Sequence, residues 1–294
     1  MNWIILTFIS IILLSIVNII DKYIISKELK DPIMDTFFST LILTILFISI
    51  ALIKGTIIFD SKIVTLSILA GLAHSGAILL YFSTLKKMEV SRFVPILSFT
   101  PIFVVIYASI FFNEIFSLST YIGFFFIVLG SFIISLKNIK SIFSINKAIY
   151  IGLGVAFLFA IRNILIKSST INNSIWSILF WIGIGTAIAS ILFISIHHPH
   201  IKKRAKKGIK HLILTSIIAG VAFLMLTLAF TIGPISLITV LMEIQPVLVF
   251  IIGIILTLFI PKIINEKLTK NIIIQKSISI LLIIIGTIII TLKL

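Results

Sequence analysis

Apolar runs of about twenty residues follow one another from end to end of this chain. A helix rises about 1.5 Å per residue, so each run is long enough to cross the roughly 30 Å hydrocarbon layer of a bilayer. A helix also satisfies its own backbone hydrogen bonds, as lipid requires. The pattern predicts ten spans, near 3–25, 34–53, 63–84, 92–112, 118–136, 148–168, 174–195, 211–231, 235–260 and 272–292. Strands of a membrane barrel run to about ten residues and alternate in polarity. These runs are twice that length and apolar all round. The fold class expected is therefore an all-α polytopic membrane protein.

Composition closes the alternatives. The chain is 60% hydrophobic and 11% charged, against about 25% charged in soluble domains. Its net charge of +15 sits in short connectors, which makes anionic membrane lipids the expected partner and argues against nucleic acid. The absence of cysteine excludes disulfides, thiol catalysis and cysteine metal sites. The first run lacks a basic leader and a small-residue cleavage site, so it reads as an uncleaved span.

Ten spans divide into five and five, and the sequence carries traces of a duplication. Asn18 and Lys22 in the first span recur as Asn163 and Lys167 in the sixth. "AGLA" at 70–73 recurs as "AGVA" at 219–222. "SFTPIFV" around Pro101 answers "EIQPVLV" around Pro246. "NE" at 113–114 is repeated at 265–266, and Gly130 and Gly286 sit late in spans five and ten. The expected units are 1–140 and 141–294. An odd number of spans per unit inverts the second relative to the first, an arrangement that suits secondary transporters.

On these motifs the chain resembles EamA-type members of the drug/metabolite transporter superfamily. Family repeats carry a proline midway along their fourth helix, preceded by Glu, and close that helix with Gly-Glu. Here Thr100 and Gln245 stand where Glu is common, and Asn113 and Asn265 replace the Gly. The resemblance implies ten helices in two inverted five-helix repeats.

Polar residues inside spans are costly and mark candidate sites. Arg162 and Glu243 lie near the middle of spans six and nine, at similar depth in the same half of the bilayer, so an ion pair or a shared cavity is expected. Asn18 and Asn163 read either as helix-packing groups or as substrate contacts, and Lys22 and Lys167 as helix-end anchors that snorkel to the headgroups. His74 and Tyr81 share a face of span three, and Gln245 adjoins Pro246. Pro95, Pro101, Pro234 and Pro246 are expected to kink or start helices. The histidines of "HHPH" at 197–200 read as a solvated cluster, with no metal site expected.

The function expected is secondary transport of an unidentified small-molecule solute across the plasma membrane. Arg162, Glu243, Asn18, Asn163, His74, Gln245 and Tyr81 would line the substrate cavity, with protons as coupling partner through Glu243 and no cofactor. The chain would act as a monomer or a homodimer. A membrane scaffold or insertion factor is the alternative, followed by a membrane-embedded transferase. Against the last, the nine acidic residues form no D-x-x-D pair for a metal-bound diphosphate. Orientation has two opposed indications. The connectors after odd-numbered spans hold most of the Lys and Arg, which places both termini outside. The family resemblance implies both inside.

Overall fold

The computed structural model describes residues 2–55, 57–135, 147–170, 173–196, 205–260 and 269–291. Among these residues there is no strand. Eight helices or continuous helical runs are long and apolar enough to cross a membrane, and two shorter apolar helices complete ten. We label them α1 (Trp3–Tyr23), α2 (Pro32–Lys54), α3 (Ser61–Leu85), α4 (Thr100–Phe111), α5 (Leu118–Ser135), α6 (Lys147–Thr170), α7 (Ile175–Ile196), α8 (Ala205–Ile232), α9 (Ile235–Phe259) and α10 (Lys270–Thr291).

Local chemistry sets several ends. The Asn2, Asp31 and Asp60 side chains accept hydrogen bonds from the first free N–H groups of α1, α2 and α3, as N-caps do. Span four is not one straight helix. A helical turn (Val90–Phe93) and a tighter 3-10 turn (Val94–Phe99) precede α4, whose first turn contains Pro101. The ninth span breaks in the same way, with a 3-10 turn at Met242–Ile244 and Pro246 opening the segment that follows. A proline lacks the N–H and fits the first turn of a helix. Pro234 caps the start of α9.

Helix contacts come in matched sets. α3 packs on α6 and α7, and α8 packs on α1 and α2; α4 meets α6, and α9 meets α1. α2–α7, α4–α9 and α5–α10 are pairs that map onto themselves when each helix is exchanged for its counterpart. The α2–α7 seam is polar. Thr40 and Ser190 hydroxyls lie 2.7 Å apart, and Thr44 and Thr186 2.8 Å apart. Hydroxyls that bond across helices hold membrane bundles where the hydrophobic effect does not. At α5–α10 a Cβ on Gly123 would meet Ile290 and the Gly286 backbone, and one on Gly286 would meet Ile127 and the Gly123 backbone. The crossing needs both glycines.

The two lysines expected as lipid-facing anchors are turned inward instead. Lys22 Nζ donates to the carbonyls of Leu85 and Met88, each at 2.6 Å. Lys167 Nζ donates to those of Phe230 and Gly233, each at 2.9 Å. Both sets lie 63 and 66 residues downstream of their lysine. The last carbonyls of a helix have no partner within it, and an ammonium is attracted to that negative end. Each lysine therefore ties the first helix of its half to the end of the third.

Asn113 has φ 53°, in the left-handed region, where Gly is at ease and Asn is tolerated. That explains the residue type found before Glu114. The Glu114 carboxylate accepts from the backbone N–H groups of Ile235 and Ser236, both at 3.0 Å. The first half thereby caps a helix of the second. Its counterpart, Asn265–Glu266, and the histidines at 197, 198 and 200 lie outside the described residues.

Candidate functional site

A cavity of about 170 Å³ opens between the two halves. Its lining comes from α1, α2, α3, the turn before α4 and the start of α4, α6, α8 and α9; among the described residues α5, α7 and α10 contribute none of it. The structure places Arg162, Glu243, Asn18, Asn163, His74, Gln245 and Tyr81 on this one lining.

Arg162 is the cation among these residues, and it is 9% exposed. Its Nε and Nη2 donate to Asn163 Oδ1 at 3.0 and 2.7 Å. Its Nη1 lies 3.2 Å from His74 Nδ1. An arginine has only donors, so His74 accepts here and carries any proton on Nε2. The guanidinium carbon lies 4.5 Å from the Phe159 ring centre and 4.9 Å from that of Phe223. His74 in turn leans on Phe223, with ring centres 4.8 Å apart. Two aromatic faces and a fork of acceptors fix the guanidinium plane.

The ion pair expected between Arg162 and Glu243 is not formed. The guanidinium is turned to Asn163, His74 and the two rings, while Glu243, 5% exposed, has Ser98 as its polar neighbour. The two charges share the cavity rather than each other. Gln245 Nε2 donates to Asn18 Oδ1 at 3.1 Å, so the broken ninth span reaches the first. The Asn18 amide nitrogen is buried with no partner among the described residues.

Asp21 was not singled out from the sequence, yet it lines the same cavity. Tyr81 Oη donates to its Oδ2 at 3.2 Å, and Thr215 is its other hydrogen-bonding neighbour. A signal for it existed. Asp21 is three residues after Asn18, on the same helix face, but it stands next to Lys22, and an acid beside a base at a span end reads as interfacial.

The cavity's charges are not repeated between halves. At an offset of 145 residues, set by Lys22 and Lys167, Arg162 answers Val17, Glu243 answers Ser98, and Asp21 answers Ile166. Under that offset the charged groups make the site asymmetric.

The fold is that of an all-α multi-pass membrane protein with a cavity between its helices. Residues 1–136 match the model of the EamA-like transporter family, a family of the drug/metabolite transporter superfamily. No curated protein matches the chain. Among solved structures the chain is similar to a crystal structure of a protein, at 17% identity and a TM-score of 0.74. The similarity covers 98% of this chain and 96% of that one. At that identity the likeness concerns the fold.

Proposed function

We propose that the chain is a secondary transporter of the plasma membrane that moves a small metabolite by alternating access. Residues 1–140 and 141–294 are the two repeats, inverted in the membrane because each has five spans. The cavity between them is the substrate site, open to one side and then the other as the halves rock. Arg162, Glu243, Asn18, Asn163, His74, Gln245 and Tyr81 contact the solute.

One observation carries this reading: ionisable groups from two helices of the second repeat, Arg162 on α6 and Glu243 on α9, are buried on one cavity without neutralising each other. A structural salt bridge would pair them. An unpaired buried charge is expensive, and a bound solute supplies what is missing. The size fits a small metabolite, since a cavity of roughly 150 Å³ accepts a benzene-sized guest. A scaffold or insertion factor has no need of an enclosed charged cavity.

The test is counterflow in liposomes holding the purified protein. A panel of solutes is first screened for thermal stabilisation, because a ligand that binds the folded state raises its melting temperature. A stabilising solute should then exchange across the membrane, and should not do so with Arg162→Met. A panel that stabilises without any exchange counts against transport.

A further inference from the structure

Asp35 is a buried acid with no role in the scaffold. It lies one turn into α2, is 0% exposed, and neither carboxyl oxygen has a hydrogen-bond partner among the described residues. The neighbouring carboxylate on the same helix, Asp31, caps the helix; Asp35 caps nothing. An ionised carboxylate sealed in this way is far costlier than a neutral acid.

Its electrostatic neighbours are Asp21 on α1, Asp31 at the start of its own helix, and Lys86 just after α3. Lys86 is exposed and donates to the Lys30 carbonyl at 2.7 Å. From α7, which packs on α2, there is no ionisable side chain. From α8, which also packs on α2, come Lys207 and Lys210, both exposed, and His211, held by Glu28 at 2.9 Å. Asp21 and Asp35 are thus electrostatic neighbours, and the cation acting on Asp35, Lys86, is exposed.

Asp21 has two hydroxyls beside it. Tyr81 donates to its Oδ2 at 3.2 Å, and Thr215, whose hydroxyl also reaches the carbonyls of His211 and Leu212, is its other polar neighbour. Asn18, one turn earlier on the same face, has the unpartnered amide.

Placement gives the pair a direction. Asp21 is on the cavity lining, as is Ser39, one turn after Asp35 on α2. Asp35 itself lies towards the membrane side where α2 begins. The second half has Ile166 and Phe180 at the matching positions, so the acids are not part of the duplicated scaffold.

We propose that Asp35 and Asp21 form a proton site, in which a proton held at Asp35 is passed to Asp21 and so to the solute cavity. No bond other than O–H is made or broken, and the proton is the ligand. The inference rests on the transporter reading for the use made of that proton, which is to drive the solute. It moves the coupling role from Glu243 to the first half.

Infrared spectroscopy of the full-length protein in lipid nanodiscs reads protonated carboxyls directly and needs no solute. At about pH 7, where an ordinary aspartate is ionised, the wild type should show a protonated-carboxyl band with a component that Asp35→Asn removes. Asp21→Asn should keep that band but lower the pH at which it is lost by about one unit, because a negative neighbour is gone. An unchanged spectrum in Asp35→Asn overturns the proposal. If that variant fails to fold, Asp21→Asn decides alone, and an unshifted band overturns it. Stabilisation by sodium chloride over choline chloride that needs Asp35 means a sodium site, and also overturns it. Failure of counterflow with every solute, with the band behaving as described, removes the transport reading and leaves the proton site standing.

Discussion

Lys22 holds the carbonyl of Leu85 at 2.6 Å, and 145 residues on Lys167 holds that of Phe230 at 2.9 Å. The same cross-link is thus made twice, from the first helix of a half to the last turn of its third. It closes the helix end that leads into the broken span, α4 in one half and α9 in the other. The segments that bear Thr100 and Gln245 are held against the cavity from there.

Replacing either lysine by methionine should cost stability rather than specificity. Two carbonyls lose a charged donor, and bonds to charged groups contribute about 1.5–3 kcal/mol each. Partial exposure of the lysines reduces this, so we expect about 2 kcal/mol for each variant, and a lower melting temperature in nanodiscs. A drop for one lysine and none for the other would contradict their equivalence.

Glu114→Gln should weaken the join between halves. Its carboxylate accepts two backbone N–H groups at the start of α9, and the amide keeps one good acceptor and loses the charge. Helix caps contribute about 1 kcal/mol. Thermal unfolding should show a loss of that order, larger for Glu114→Ala.

Asn113 gives a prediction of opposite signs. Its φ of 53° is free for glycine and costly for a β-branched residue. Asn113→Gly should leave the melting temperature unchanged or raised. Asn113→Val should lower stability by about 1–2 kcal/mol.

Arg162→Lys should not rescue the site. A lysine keeps the charge but cannot lie flat between Phe159 and Phe223 while donating twice to Asn163. A desolvated cation–aromatic contact contributes about 2 kcal/mol, so solute affinity in the counterflow assay should fall by roughly 30-fold. Equal affinity in Arg162→Lys would mean that only the charge matters.

Orientation can be read by labelling, because the chain has no native cysteine. The positive-inside rule places the α2–α3 connector outside and the loop after α3 inside. In intact cells an impermeant thiol reagent should label Ser61→Cys and spare Lys87→Cys. The reverse pattern would put both termini in the cytoplasm, as the family resemblance implies.

The sequence by itself determined the helices and where most of them run. Hydropathy acts residue by residue along a segment, and lipid forces every such segment to satisfy its own backbone. It also showed that Asn18 and Lys22 recur with their spacing at Asn163 and Lys167. The residues that proved to share a cavity were visible as polar groups in apolar runs. What tertiary structure decided was which partner each group meets. Lys22 was equally able to reach headgroups or the carbonyls of α3, and only the packing of α1 on that helix end settles which. Arg162 was expected to pair with Glu243 or to share a cavity with it at matched depth; depth carries no rotation, and helix rotation turns Arg162 to Asn163, His74 and two rings on the cavity that Glu243 also lines. Asp21 and Asp35 looked like ordinary residues at helix ends. Helices from distant parts of the chain enclose them, and burial of that kind cannot be read from neighbours in sequence.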